Sequence, residues 1–190
     1  MVKQREFIQN KKQTMQKLKI AVEEGKVDSD IIPILDIINS YDNYYTSSSC
    51  YGRIVLLEIP EIGDKKNARW LGKWHHKINK KDIYESLKKA ELGQIWILAQ
   101  APIIHIYSNT IQDADNIVKT AISCGFKNSG FKSISNNIVI EITSTERLDA
   151  PVGLNKKIFC DDDYLSFIVD IANTVFERST KKLEKFKGKL

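Results

Sequence analysis

The chain has 190 residues, of which 42% are hydrophobic, and this size and composition are typical of one compact globular domain and exclude a disordered protein. No apolar run approaches the roughly 20 residues of a membrane span, and the first residues lack the apolar stretch of a signal peptide, so we expect a cytoplasmic protein with no membrane partner. The 29 basic and 24 acidic side chains give a net charge of +5, and three widely spaced cysteines offer neither a disulfide framework nor a CxxC metal site.

Hydrophobic spacing and stop signals predict helices and strands that alternate along the chain. In chain order we predict helices over 3–24 and from 29 onward, a polar loop over 39–49, strands over 52–60 and 69–75, a helix over 81–92, strands over 94–99 and 103–107, a helix from 110 to about 124, strands over 137–143 and 158–160, and a long helix over 164–186. Strands interleaved with helices favour an α/β fold. We expect a single layered domain over residues 1–190, with a mixed β-sheet flanked by helices.

The basic aromatic segment, residues 65–81, combines seven lysine and arginine side chains with two tryptophans and two histidines, and it contains no acidic residue. Cations suit phosphates, and aromatic rings suit unstacked bases, so the segment is a candidate RNA surface. A solvated basic strand and loop is the alternative.

Hydroxyl side chains over 46–49 lead into Gly52 and Arg53, where the predicted loop becomes a buried strand. Backbone N–H groups near a glycine, short hydroxyl side chains and a guanidinium are what a carboxylate or phosphate needs. The segment is therefore a candidate anion site, with a serine-rich loop closed by a structural arginine as the alternative. The chain lacks GxSxG, the Walker loop and G-x-G-x-x-G, so a nucleophile elbow, a P-loop nucleotidase and a Rossmann dinucleotide-binding domain have no support.

His75 closes a predicted strand and His105 lies inside another, which makes them candidate acid–base residues; a core or edge histidine is the alternative for each. No local spacing supplies three or four ligands, so we expect no metal. Asn128, Ser129 and Gly130 lie on a turn whose glycine lets a ligand approach the backbone, although a bare turn has the same pattern.

Several short motifs, spread over nearly the whole chain, carry a resemblance to a known family. They are S-S-C-Y-G-R-I at 48–54, R-W-L-G-K-W-H at 69–75, A-P-I-I-H-I at 101–106, G-F-K-N-S-G at 125–130, E-I-T-S-T at 141–145, D-A-P-V at 149–152, and D-D-Y-L followed by I-A-N between 162 and 173. Together these motifs resemble the tRNA wybutosine-synthesizing protein 3 family. That family usually has a small residue where this chain has Tyr51, so we expect Tyr51 to line the mouth of a pocket rather than the core.

The resemblance implies a methyltransferase that uses S-adenosylmethionine and whose fold is unlike that of the Rossmann methyltransferases. Its implied substrate is the 4-demethylwyosine-type base beside the anticodon of phenylalanine tRNA, at position 37, which is methylated on the ring nitrogen N-4. His75 is the first candidate base and His105 the second, because an ordinary imidazole pKa of about 6.5 suits proton acceptance near neutrality. The resemblance places cofactor binding on Ser48, Ser49, Gly52, Arg53, Asn128, Ser129 and Gly130, and RNA binding on Lys65, Lys66, Arg69, Lys73, Trp74 and Lys77.

Two other functions compete with the methyltransferase. A non-catalytic tRNA-binding module would use the same basic aromatic segment to hold tRNA, with the serines in a structural role. A phosphate-ester hydrolase would use the two histidines. The oligomeric state does not follow from the sequence.

Overall fold

The computed structural model describes residues 2–64 and 66–190, and its helices and strands confirm the predicted α/β class. In chain order the elements are α1 (Val2–Glu23), a 3-10 turn (Ser29–Ile31), α2 (Ile32–Ser40), β1 (Tyr44–Cys50), β2 (Arg53–Ile59), β3 (Arg69–Trp74), α3 (Lys80–Leu87), β4 (Gln94–Gln100), β5 (Ile103–Ser108), α4 (Ile111–Ser123), β6 (Gly130–Ser133), β7 (Ile138–Thr143), β8 (Arg147–Leu154), β9 (Lys157–Ile158) and α5 (Asp162–Lys187). None of the helices in this part of the chain is long and apolar enough to cross a bilayer.

The chain divides into two compact units, each with its own sheet. The first unit comprises the chain up to Tyr51 together with 102–145 and 180–190, and the second comprises 52–101 and 146–179. We expected one mixed sheet, but each strand pair among the described residues is antiparallel. The reason is that α3 joins β3 to β4 across β2, and α4 joins β5 to β6 across β7, so the crossovers create no neighbouring parallel pair. A Rossmann fold needs a parallel sheet, so the predicted non-Rossmann architecture is confirmed.

The sheet of the first unit has the strand order β1-β5-β7-β6, and one of its faces packs on α2 and α4. β5 and β7 each place two fully buried isoleucines in this core, Ile104 and Ile106 from β5 and Ile140 and Ile142 from β7. α4 begins as its sequence predicts, because the hydroxyl of Thr110 accepts a hydrogen bond from a backbone N–H of the first turn.

The prediction of a polar loop over 39–49 is wrong, because most of this segment forms β1. This strand pairs with the central strand β5, with a register irregularity between Thr46 and Ser49. Tyr45 in β1 stacks on Tyr107 in β5 with ring centroids 4.7 Å apart. Serine and threonine favour turns locally, but pairing with a neighbouring strand satisfies the backbone and overrides that preference.

Tyr51 contradicts its prediction as well, since it is half-buried against the hydrophobic core of the first unit. Its backbone N–H donates to the Asp28 carboxylate at 3.0 Å. Burial raises the pKa of its phenol, with further contributions from nearby acidic groups. The side chain is therefore part of the packing, rather than a pocket mouth free of the core.

The sheet of the second unit has the order β3-β2-β4-β8-β9. β2 is predicted correctly from its apolar run, and Ile54, Val55 and Leu56 are fully buried. The sequence does not predict β8, because Pro151 and Gly153 interrupt its pattern. Pairing with β4 forms the strand nevertheless, and the register shifts where Pro151 lies opposite Trp96.

Candidate active site

Arg53 is held on two sides and has an open third side. Its Nε donates to the side-chain oxygen of Gln100 at 2.7 Å, and its guanidinium lies over Trp70, with Cζ 4.5 Å from the ring centroid. The two Nη atoms make no hydrogen bond or ion pair with any residue that the structure describes. A guanidinium fixed in this way offers a two-pronged donor edge to a carboxylate or phosphate.

The Arg53 pocket is a cavity of about 460 Å³ on the same face of the second sheet. Beside Arg53 its walls contain Gln100, Trp70 and two residues of β8, Arg147 and Asp149. Arg147 donates to Asp149 at 2.5 Å, so these two charges largely neutralise each other. Asp64 also lines the pocket, so two cations face two acids there, and Arg53 is the cation that forms no ion pair among the described residues. Its guanidinium lies beside an aromatic wall.

His75 lies at the end of β3, and its Nδ1 is 2.7 Å from the backbone carbonyl oxygen of Gly52. Since a carbonyl oxygen only accepts, Nδ1 carries the proton and the neutral ring has its lone pair on Nε2. The structure thus brings together two of the predicted site residues, and the glycine orients the histidine. An imidazole in this tautomer has a basic nitrogen at Nε2.

His105 belongs to a four-residue network on the first sheet, the His105 network, made of Ser48, His105, Glu141 and Lys132. Its Nδ1 lies 2.9 Å from the Ser48 hydroxyl, and its Nε2 lies 2.9 Å from one carboxylate oxygen of Glu141. Lys132 forms an ion pair with the other oxygen at 2.7 Å. The residues come from β1, β5, β7 and β6, and strand register alone brings His105 opposite Glu141.

Electrostatics keep the Glu141 carboxylate charged. Burial alone would raise its pKa, but hydrogen bonds from Lys132 and His105, with their charges, outweigh burial and lower the pKa below its usual value. A carboxylate that remains ionised accepts the Nε2–H of His105 and so fixes the orientation of the ring.

The remaining predicted cofactor residues of the first unit have different surroundings. The hydroxyl oxygen of Ser49 is buried and has no hydrogen-bond partner in the part of the chain that the structure describes. The Ser129 hydroxyl is 3.2 Å from the backbone N–H of Thr143, which donates to it, so this side chain ties the 125–130 turn to the end of β7. Asn128 is exposed, and Gly130 opens β6.

Several side chains of the basic aromatic segment are engaged in contacts within the protein. Arg69 pairs with Glu58 and with a second carboxylate, and Lys77 pairs with Glu177 at 2.7 Å. The Trp74 ring lies where a side chain on Gly72 would be, so it packs back onto its own strand. Two predicted RNA contacts, Lys66 and Lys73, are exposed, and neither forms an ion pair within the described ranges. Lys65 lies outside the described residues.

Sequence reasoning missed several polar and aromatic residues of both clusters. They are Lys132 and Glu141 in the His105 network and Trp96, Gln100, Arg147 and Asp149 in the Arg53 pocket, whereas Trp70 belongs to the predicted basic aromatic segment. Glu141 and Asp149 stand within quoted motifs, and alternation along β7 and β8 would have shown which face they share with their neighbours. The roles of the predicted site residues stay predictions.

Comparisons with known proteins match the family that the sequence motifs resemble. The family model described as Methyltransferase TYW3 matches residues 9–190. A protein of Pyrococcus horikoshii is 47% identical over 185 residues, which cover 97% of this chain and 94% of the relative, and it is named tRNA(Phe) 7-((3-amino-3-carboxypropyl)-4-demethylwyosine(37)-N(4))-methyltransferase 1. A relative from Methanocaldococcus jannaschii with the same name, without the final number, is 40% identical over 186 residues, 97% of this chain and 96% of its own length.

Two solved structures resemble this chain over most or all of its length. The structure of the PH1069 protein from Pyrococcus horikoshii has 46% sequence identity and a TM-score of 0.95, and the match covers 100% of this chain and 98% of that one. A hypothetical protein from Aeropyrum pernix has 29% identity and a TM-score of 0.74, over 85% of this chain and 96% of that one.

Proposed function

The chain belongs to the Methyltransferase TYW3 family, and from this premise we propose that it methylates N-4 of the 7-(3-amino-3-carboxypropyl)-4-demethylwyosine base at position 37 of phenylalanine tRNA, with S-adenosylmethionine as methyl donor. The support is the shared name of relatives that are 40% to 47% identical and cover 97% of this chain. We propose further that residues 1–190 serve this activity as one methyltransferase domain in the cytoplasm, without a metal ion.

The observation that carries the proposal is the open edge of Arg53. S-adenosylmethionine supplies a methyl group on a positively charged sulfur, and it ends in an α-amino acid and in an adenine ring. The Nη atoms of Arg53 suit the carboxylate of that amino acid, and the indole of Trp70 beside them suits a planar ring. These residues fit the donor by charge and by shape.

The predicted residues of the first unit offer polar groups of their own. The buried hydroxyl of Ser49 has an unused donor and acceptor among the described residues, which is costly unless a ligand or water completes it. We assign Ser48, Asn128, Ser129 and Gly130 to cofactor binding as well, with Ser129 acting through a hydroxyl that accepts from Thr143 and Gly130 at the start of β6.

His75 is the first candidate for the group that accepts the proton of the ring nitrogen. The Gly52 carbonyl holds the proton on Nδ1, so Nε2 of the neutral ring can take up a proton. Methylation joins the ring nitrogen to the methyl carbon and breaks the bond from that carbon to sulfur, and the proton that nitrogen sheds passes to the base. Orientation of the two reactants is the larger part of what the protein contributes.

His105 is the second candidate, and Glu141 is its positioning residue. With Nε2–H directed at the ionised carboxylate, Nδ1 is the nitrogen that faces the Ser48 hydroxyl. Ser48 can thus relay the proton: its hydroxyl accepts the proton of the ring nitrogen as it passes its own proton to Nδ1, and the hydroxyl stays neutral. Lys66 and Lys73 are exposed cations of the basic aromatic segment that form no ion pair with a residue the structure describes, and they suit the phosphates of the anticodon loop.

Methyl transfer from labelled S-adenosylmethionine to phenylalanine tRNA tests the function. The tRNA is isolated from a strain that accumulates the 4-demethylated base, and nuclease digestion with mass spectrometry locates the added 14 mass units. We expect one methyl group on the tricyclic base. Binding of the tRNA without cofactor binding or transfer would identify the chain as a non-catalytic tRNA-binding module instead.

A further inference from the structure

The walls of the Arg53 pocket are arranged in rows across three strands. Residues directly opposite each other in an antiparallel sheet lie on the same face, and the register aligns Arg53 with Gln100 and Gln100 with Arg147. This first row is polar and cationic. Two residues further along, Leu98 is aligned with Asp149, which adds an acid next to the cationic row.

Further along the same strands the pocket becomes apolar and aromatic. Trp96 lies opposite Leu57, and Leu57 also pairs with Trp70 on β3. The indole N–H of Trp96 donates to Gln94 at 3.3 Å, which helps fix the orientation of that ring. Half of the Trp70 surface and 76% of Ile62, at the rim, are exposed, although both line the cavity. Exposed apolar side chains around a cavity are typical of a ligand site.

The cationic row and the neighbouring Asp149 place charges of both signs in reach of one ligand. Arg53 presents its two Nη amino groups, which have no partner among the described residues. Asp149 uses one carboxylate oxygen for Arg147, and its other oxygen has no partner within the same residues. The Trp70 ring reaches back to the cationic row, because its centroid is 4.5 Å from Cζ of Arg53, while Trp96 lies further along the pocket. A ligand whose zwitterionic head binds at Arg53 therefore has an aromatic wall beside it for a planar ring.

We propose that the Arg53 pocket binds an α-amino acid linked to a planar ring system. Arg53 takes the carboxylate, Asp149 takes the ammonium group, and Trp70 with Trp96 flanks the ring. This inference rests on the proposed function, in which two reactants have that chemistry: the methionine end of S-adenosylmethionine with its adenine, and the 3-amino-3-carboxypropyl arm of the substrate base with its tricycle. Neither the sequence motifs nor the relatives' names assign Trp96 or Asp149 a role.

The test compares paired ligands that differ only in the amino acid. In the first arm, calorimetry measures binding of S-adenosylhomocysteine and of 5′-methylthioadenosine, which lacks the α-amino acid. In the second arm, filter binding without cofactor measures anticodon stem-loops with and without the 3-amino-3-carboxypropyl arm. Each arm is repeated with Asp149→Asn, with Trp96→Ala, and with Asp115→Asn, a control that removes a partly exposed acid paired with Lys119 on α4.

In each arm the preference is the ratio of the affinity for the ligand with the amino acid to the affinity for the ligand without it. In the arm whose ligand occupies the pocket, we expect Asp149→Asn to reduce this ratio at least fivefold. We expect Trp96→Ala to lower the affinity for both ligands of that pair at least tenfold, and Asp115→Asn to leave both affinities unchanged. An unchanged preference in both arms, in variants whose thermal melting shows that they are folded, overturns the proposal.

The outcome for the pocket is separate from the outcome for the reaction. If the wild-type protein methylates the tRNA but both preferences are unaffected by Asp149→Asn, the proposed function stands and the pocket assignment is wrong. If the protein transfers no methyl group, the proposed function fails, and the same binding ratios still test the pocket, because they need no turnover.

Discussion

Arg69 donates from its guanidinium to the carboxylate of Glu58 at 3.2 Å, and only 1% of the Glu58 side chain is exposed. The other Glu58 oxygen accepts the backbone N–H of Glu91 at 2.8 Å. A basic side chain predicted to face RNA therefore neutralises a buried acid, since an ionised carboxylate in such a place needs a compensating charge.

Removal of Arg69 tests this structural role. We expect Arg69→Ala to lower the free energy of unfolding by about 2–3 kcal/mol, because Glu58 is left buried without its cation. Urea denaturation measures this change in the free energy of unfolding. The matched control is the double variant Arg69→Ala with Glu58→Gln, in which no charge is buried and part of the stability returns. An unchanged midpoint in Arg69→Ala would show that Arg69 does not stabilise Glu58.

Lys73 and Lys77 differ in a way that separates RNA contacts from structural pairs. Lys73 is exposed and forms no ion pair within the described ranges, whereas Lys77 is paired with Glu177. We expect Lys73→Glu to reduce the slope of log affinity for tRNA against log salt by roughly one, the value for one phosphate contact, and Lys77→Glu to change it less. Filter binding at several salt concentrations measures both slopes. Equal slopes in wild type and Lys73→Glu would place the RNA surface elsewhere on the protein.

Arg53 is predicted to recognise a carboxylate by its two-pronged edge, which a lysine lacks. We expect Arg53→Lys to keep the fold and tRNA binding and to lower the affinity for S-adenosylmethionine at least tenfold, a difference of about 1.4 kcal/mol. Calorimetric titration decides the matter, with Arg5→Lys on an exposed part of α1 as control. Wild-type affinity in the Arg53 variant would leave Arg53 a structural or RNA-binding residue.

Local sequence patterns, such as caps and apolar spacing, predict an element when the residues of that segment alone are enough to form it. The Thr110 cap and the apolar stripe of α4 are such a case, and so is the apolar run of β2. β1 and β8 follow a different rule, because their polar or proline-containing sequences become strands only beside β5 and β4. Spacing within one segment carries no information about that pairing.

The same distinction applies to the candidate site. Arg53 and the two histidines stand out in the sequence because their residue types have evident chemistry. Gln100 and Glu141, which orient Arg53 and His105, lie 47 and 36 residues away from them, and only the sheet register brings each pair together. The two sheets and their strand order therefore had to be known before these positioning residues could be identified.

Glu141 makes the stability of the protein depend on pH in the acid range. Its pKa is below the usual value of 4.5 in the folded protein, so its ionised form contributes stability above that value, and the contribution is lost as the pH falls through the lower folded pKa. We expect the free energy of unfolding to fall below about pH 4.5 more steeply in wild type than in Glu141→Gln. Urea denaturation at several pH values measures this, with Asp115→Asn as control. Identical pH profiles in wild type and Glu141→Gln would contradict the role of the Lys132 and His105 contacts.

Tyr51 contributes to the core of the first unit, so its replacement by the small residue usual in the family should carry a measurable cost. We expect Tyr51→Ser to fold but to lose about 2 kcal/mol in the free energy of unfolding, less than the roughly 3–5 kcal/mol for a fully buried aromatic, because the ring is only half-buried. Tyr164→Ser, at an aromatic that is 51% exposed on α5, is the control and should lose less. Thermal and urea denaturation compare the two variants. If Tyr51→Ser is as stable as wild type, the ring adds nothing to the packing, and its place at a pocket mouth becomes the better interpretation.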